Sequence, residues 1–175
     1  RPSSAGWRRC CASTAAALLL AGCAAQTAFR EGETLLAENQ VDAGLTKLQE
    51  AIALDPGSAE YRVVYARALE KSVQASLTQG ERALGENRLP DAEKAYRRAL
   101  TLHPANDRAL TGLRLVDEAR RHQTLYAEAE SAWAKKDAEG ALGRLRGILA
   151  ANPKHDRALA LQRTIDEQTR KLTRE

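Results

Sequence analysis

Methionine is absent from the 175 residues, phenylalanine occurs once, and cysteine does not occur after Cys23. Because an initiator methionine is not normally removed ahead of arginine, the missing methionine predicts that the chain begins inside a longer reading frame. The lack of cysteine after Cys23 excludes a disulfide framework there. Aromatic residues make up only 4% of the chain. The sequence therefore lacks the basic face interleaved with aromatic residues that is typical of nucleic-acid binding.

Glycine, proline and histidine are also sparse, with 11, 5 and 3 occurrences. Alanine, leucine, glutamate and arginine dominate instead, which favours helices over sheets. His103 and His155 lie beside prolines in predicted turns and His122 lies in a predicted helix, so we interpret all three as ordinary polar residues. No spacing indicates a metal site, a catalytic set or a phosphate loop. We expect no enzyme, no cofactor, no metal and no small-molecule substrate.

The net charge of +4 does not indicate a basic protein surface, because most of it comes from one end of the chain. Arg1, Arg8 and Arg9 precede the first long apolar run, and no acidic residue does. The rest of the chain therefore carries 24 basic and 23 acidic side chains. A nearly neutral chain argues further against a nucleic-acid partner.

The N-terminal segment "WRRCCASTAAALLLAGC" combines basic residues, a short apolar stretch and small residues, as a secretory signal does. The apolar stretch is too short to span a bilayer as a helix. The sequence of residues 20–23, Leu-Ala-Gly-Cys, resembles a bacterial lipobox, which implies cleavage before Cys23 and acylation of that residue. We expect a signal peptide at 1–22 and a lipidated tether at 23–27. The alternative is that Cys23 is an ordinary small residue beside a conventional cleavage site. By resemblance to enterobacterial lipoproteins, Ala24 implies the outer membrane, with the protein facing the periplasm.

The remainder is repetitive: three stretches of 32 residues align without gaps and end at Pro56, Pro104 and Pro153. Their eighth and twentieth positions are small and their twenty-fourth position is large. These positions are Gly32, Gly80 and Ala129; Gly44, Ala92 and Ala141; and Leu48, Tyr96 and Leu145. Self-similarity at a fixed period is typical of repeat architectures.

This pattern resembles the tetratricopeptide repeat, a pair of antiparallel helices brought close together by small residues. The resemblance implies an all-α solenoid over residues 28–175. The prolines are 48 and 49 residues apart rather than about 34, so the first helix of each pair is extended. We predict long helices at about 58–86 and 106–135 and short ones near 41–54, 90–102 and 138–150. The last segment, 154–175, repeats the start of the preceding long helix. It is either a cap or the start of a further repeat beyond Glu175.

The resemblance also implies a partner-binding groove, lined by the second, fifth, ninth and twelfth residues of each first helix. These residues are Gln26, Phe29, Glu33, Leu36, Gln74, Leu77, Glu81, Leu84, Gln123, Tyr126, Glu130 and Trp133. We expect Tyr126 and Trp133 to be the main anchors. The three glutamates favour a partner segment with apolar and basic side chains. The alternative is that the recurring face only packs consecutive helices.

We therefore expect a lipid-anchored adaptor for protein partners in envelope assembly, secretion or pilus machinery. A lipobox followed by long-helix repeats also resembles the N-terminal region of secretins, the channels of type II secretion and type IV pilus systems. The alternatives are a free-standing structural or assembly lipoprotein, and the non-catalytic repeat region of an envelope enzyme whose catalytic domain is missing.

Overall fold

The computed structural model describes residues 22–172, which form seven helices and no strand. Helix α1 covers residues 22–37. The others are α2 (Val41–Leu54), α3 (Ala59–Gly85), α4 (Leu89–Leu102), α5 (Asp107–Ala134), α6 (Ala138–Ala151) and α7 (Asp156–Leu172). The prediction of an all-α chain is confirmed. None of the helices in the described part of the chain is long and apolar enough to cross a membrane.

Long and short helices alternate, as the proline spacing predicts. Helices α3 and α5 have 27 and 28 residues, whereas α2, α4 and α6 have 14 each. Every predicted boundary of these five helices lies within one residue of the observed one. The predicted signal peptide lies outside the described residues, apart from Gly22, and so do the last three residues of the predicted final helix.

The two kinds of connection between the helices have different local causes. After α1, α3 and α5 the chain turns at Asn39, Asn87 and Lys136, whose φ angles of 62°, 57° and 62° are left-handed. At the first of these turns the N–H groups of Asn39 and Gln40 donate to carbonyl oxygens of Leu36 and Leu35, at 3.1 and 2.8 Å. The same two bonds recur at the other two turns. This pair of bonds is the Schellman motif. Its left-handed position is usually glycine, but here it is asparagine or lysine.

The other kind of connection follows α2, α4 and α6 and contains a proline. In these turns Ser58, Asn106 and His155 each accept a hydrogen bond from the backbone N–H three residues later, at 3.3, 3.0 and 3.2 Å. Side-chain acceptors at this position satisfy a free N–H group at the start of a helix. Ser58 and Asn106 thus cap the N-termini of α3 and α5.

Contacts divide the chain into two compact bodies. Of the described residues, the first body contains 22–78 together with Arg98–Pro104, and the second contains Gln79–Arg97 and 105–172. One hydrophobic cluster lies within the first body and comprises Ala25, Ala28, Phe29, Leu48, Ala51 and Tyr61. Another lies within the second and comprises Ala129, Ala132, Ala141, Leu145, Ile148, Ala158 and Ile165.

In the first body, two glycines set the distance between α1 and α2. A Cβ atom on Gly32 would lie 2.9 Å from Cγ of Leu48 and 3.1 Å from the carbonyl oxygen of Gly44. A Cβ atom on Gly44 would in turn lie 3.0 Å from the carbonyl oxygen of Gly32. Neither position has room for a side chain, so the predicted close approach of the paired helices is confirmed at this hairpin.

In the second body, the ring of Tyr96 on α4 packs between two glycines. A Cβ atom on Gly80 of α3 would lie 2.7 Å from the ring, and one on Gly112 of α5 would lie 2.4 Å from it. Tyr96 is only 2% exposed. Burial raises the pKa of its phenol, and the charge of Glu81 adds to this effect.

The segment expected as a lipidated tether, 23–27, forms the first residues of α1. Residues 23–27 are helical, and Ala25 is only 1% exposed. The hydroxyl of Tyr61 on α3 donates to Oε1 of Gln26 at 2.9 Å. Residues 23–27 therefore pack and hydrogen-bond as part of the first body.

Candidate functional site

The twelve predicted groove residues fall on α1, α3 and α5, at steps of three and four that place each set on one side of its helix. Their exposure divides by residue type. The glutamines and glutamates are exposed, Phe29 and Leu77 are buried, and the other four apolar side chains are half-buried. In this structure the side chains of Phe29 and Leu77 are therefore not available to a partner.

The set on α1 mostly holds that helix in place. Phe29 stacks on Tyr61, with ring centroids 4.6 Å apart and an interplanar angle of 26°. Gln26 accepts the hydrogen bond from the Tyr61 hydroxyl. Leu36 packs against the core cluster of the first body. Of these four α1 residues, Glu33 alone is exposed with no ion pair or hydrogen bond from its side chain to another described residue.

The set on α3 is also engaged in contacts. Nε2 of Gln74 donates to Oε1 of Glu70 at 2.8 Å. Glu81 forms an ion pair with Arg108 on α5, with 2.7 Å between Nη2 and Oε1. Part of the negative charge that the sequence assigned to the groove is therefore already balanced within the second body.

The set on α5 lines a surface depression of about 500 Å³ in the second body. Gln123, Tyr126 and Glu130 contribute to it, whereas Trp133 packs against the core cluster instead. The other lining residues come from α5, α7, the turn before α7 and the turn between α3 and α4: Asn87, Ala119, His122, Ala127, Asn152, His155 and Arg157. Of the three predicted sets, this one brings the most members together around a common space.

The polar side chains of this depression are partly organised by contacts with one another. Nε2 of Gln123 donates to Oδ1 of Asn87 at 3.0 Å. The guanidinium of Arg157 lies over the ring of Tyr126, 4.3 Å from its centroid. The ring of His155 lies 6.5 Å from that of Tyr126 and 5.8 Å from that of His122. The depression thus offers amides, imidazoles, an aromatic ring and both signs of charge.

His155 has a structural role that the sequence interpretation missed. Its Nδ1 atom accepts the N–H of Ala158 and caps α7, as Ser58 and Asn106 cap the earlier long helices. Because Nδ1 is the acceptor, Nε2 of the neutral ring carries the proton. Aligning the residues two places after each repeat-ending proline identifies the cap, but Arg157 beside Tyr126 has no equivalent signal.

Among residues 22–172, no group of three histidine, cysteine or carboxylate side chains is arranged to hold a metal ion. The depression pairs no nucleophile with a base through a hydrogen bond between the described side chains. Neither a family model nor a curated protein matches this chain. The likeness to tetratricopeptide repeats therefore rests on the chain's own residues.

Proposed function

We propose that this chain is a non-catalytic, lipid-anchored adaptor that binds a partner protein at the periplasmic face of the outer membrane. In this proposal the helix pairs form a tetratricopeptide-like α-solenoid. The observation that carries it is the depression lined by Gln123, Tyr126 and Glu130, three of the groove positions on α5. The Schellman turns after α1, α3 and α5 support a common repeat unit. Stacked helix pairs commonly provide docking surfaces rather than catalytic sites.

Partner binding is tested best at Glu130, because this residue is exposed and its carboxylate makes no ion pair among the described residues. We expect Glu130→Lys to lower the amount of partner captured by crosslinking in cells about tenfold or more. The new lysine would repel the basic side chains that we expect on the partner. Glu167→Lys on α7 is the matched control, because it reverses an exposed charge outside the depression.

Both variants are first checked by circular dichroism for an unchanged helix content. Equal capture by the two folded variants would show that the α5 face only packs and solvates the repeat. Failure to crosslink any protein, even with the wild-type chain, would favour a structural spacer over an adaptor.

The lipid anchor is tested at Cys23, which is exposed at the start of α1. We expect Cys23→Ala to move the protein from the membrane fraction almost entirely to the soluble fraction, because stable anchoring requires more than one acyl chain. The control replaces Cys10 and Cys11 with alanine in the expected signal peptide and keeps the protein on the membrane. Intact mass reports the acyl chains directly. Sedimentation of Cys23→Ala at the wild-type level contradicts the anchor.

A further inference from the structure

Two charged side chains of the depression, Arg157 and Glu130, lack an ion pair with any described residue. Arg157 is exposed, and its guanidinium lies over the Tyr126 ring without an ion pair to any described carboxylate. Glu130 follows Tyr126 by four residues on α5, so the two side chains are neighbours on the helix surface. Its carboxylate has no partner among the described residues. The depression thus contains a guanidinium on an aromatic ring and a carboxylate, and the two do not form an ion pair.

We propose that Arg157 occupies the place of a partner's arginine: an arginine side chain of the bound segment displaces it, stacks on Tyr126 and pairs with Glu130. This inference rests on the proposed adaptor function and specifies the chemistry of the same site. The partner's guanidinium gains both contacts, whereas Arg157 has only the ring. Arg157 is therefore a competitor within the chain and a determinant of specificity.

Once Arg157 is displaced, the carboxylate of Glu130 and the ring of Tyr126 favour a cation over an anion in the depression. The face of an aromatic ring carries negative potential and attracts guanidinium groups. An anion bound to Arg157 would lie against this face and close to the Glu130 carboxylate. Arginine is favoured over lysine because its planar group stacks on the ring while its N–H groups bind a carboxylate. The position of Arg157 itself shows that the ring accepts a guanidinium at 4.3 Å.

Self-occupancy by Arg157 has a measurable consequence. When a site is partly filled by a group of its own chain, the observed affinity falls by the fraction of time for which the site is free. Removing that group raises the affinity for an external cation without adding any contact. An anion site would respond in the opposite way, because Arg157 would then be its main ligand.

The experiment compares three capped five-residue peptides that differ only at the central position, with arginine, citrulline or glutamate flanked by leucine and alanine. Citrulline has the shape of arginine without its charge. Binding to the full-length chain is followed by ¹H–¹⁵N chemical shifts. We expect the arginine peptide to bind more tightly than the citrulline peptide by about two- to fivefold. Arg157→Gln should tighten arginine binding by a similar factor.

Three further variants separate the contributions. Glu130→Gln and Tyr126→Leu should each lower the affinity for the arginine peptide to that for the citrulline peptide. Leucine is chosen at position 126 because it keeps an apolar side chain against the core cluster. Arg163→Gln, an exposed neutral substitution elsewhere on α7, should change nothing. Equal binding of the arginine and citrulline peptides, or no binding of either at millimolar concentration, overturns the proposal.

Preference for the glutamate peptide together with its loss in Arg157→Gln identifies an anion site instead and also overturns it. These outcomes leave the adaptor function open to its own test. Capture of the partner in cells by the wild-type chain, with no arginine preference in the peptides, would reject the cation chemistry alone.

Discussion

Gly112→Ala is expected to lower the free energy of unfolding of the second body by about 3 kcal/mol, at the upper end of ordinary overpacking. The added Cβ atom would lie 2.4 Å from Cε1 and Cζ of Tyr96. The ring already packs closely against α3 at Gly80, where an added Cβ atom would lie only 2.7 Å from it, so little space is left for the ring to move that way. Urea unfolding followed by circular dichroism measures the effect.

Gly143→Ala is the matched control for this substitution. Gly143 lies within α6 and is exposed, and the nearest atom to its added Cβ would be a terminal nitrogen of Arg146 at 3.9 Å. We expect a gain of about 0.5–1 kcal/mol here, because alanine is a better helix former than glycine. If Gly112→Ala is as stable as Gly143→Ala, the packing of Tyr96 between two glycines is contradicted.

A rescue follows from comparing the repeats. The positions equivalent to Tyr96 and Gly112 are Leu48 and Val64 in the first repeat, where both contact one cluster. A smaller side chain on the short helix thus accompanies a larger one on the long helix. The double variant Tyr96→Leu with Gly112→Val copies this arrangement and should recover most of the lost stability. Such non-additivity is the sign of direct contact between two sites.

Phe29→Ala is expected to cost about 3–5 kcal/mol of unfolding free energy, as for other buried phenylalanines. Phe29 is 4% exposed and stacks on Tyr61, so its removal leaves a cavity between α1 and α3. Thermal and urea unfolding report the loss.

Glu33→Ala, one turn further along α1, tests the same predicted groove face at an exposed position. It should change stability by less than about 0.5 kcal/mol, which is usual for a surface substitution. The opposite pattern, an unchanged stability of Phe29→Ala together with lost partner capture, would restore Phe29 to the groove and contradict its place in the core.

The helix boundaries were predictable because prolines, capping residues and small residues act locally. Pro56 and Pro104, for example, end two short helices whatever the rest of the chain does. The sidedness of Phe29 and Leu77 was not predictable, since steps of three and four residues put a side chain on one face without revealing what covers that face. The resemblance to tetratricopeptide repeats implied groove positions for these two residues, and in this structure both are buried.

The packing of residues 23–27 and the contact of Tyr96 with Gly112 were not predictable from the sequence, for related reasons. Alanine and threonine at 24–28 give little sequence signal for packing, because small residues contribute through the closeness they permit rather than through their own apolar bulk. The dependence of Tyr96 on Gly112 connects positions 16 residues apart on different helices. The need for glycine at position 112 can be inferred only when its contact with Tyr96 is known from the structure.

The helical packing of residues 23–27 determines how far a lipid at Cys23 would let the first body move. A flexible tether of n residues gives a reach of about 5–6 Å times the square root of n, and thus lets a domain sample a volume above the bilayer. Here the acylated residue would itself belong to the first turn of α1, which Ala25 and Gln26 fix to the rest of the body. The first body would then lie directly at the lipid headgroups, with no flexible segment between it and the lipid. A partner would meet it only by coming to the membrane surface, so the bilayer would restrict the directions from which the partner can approach.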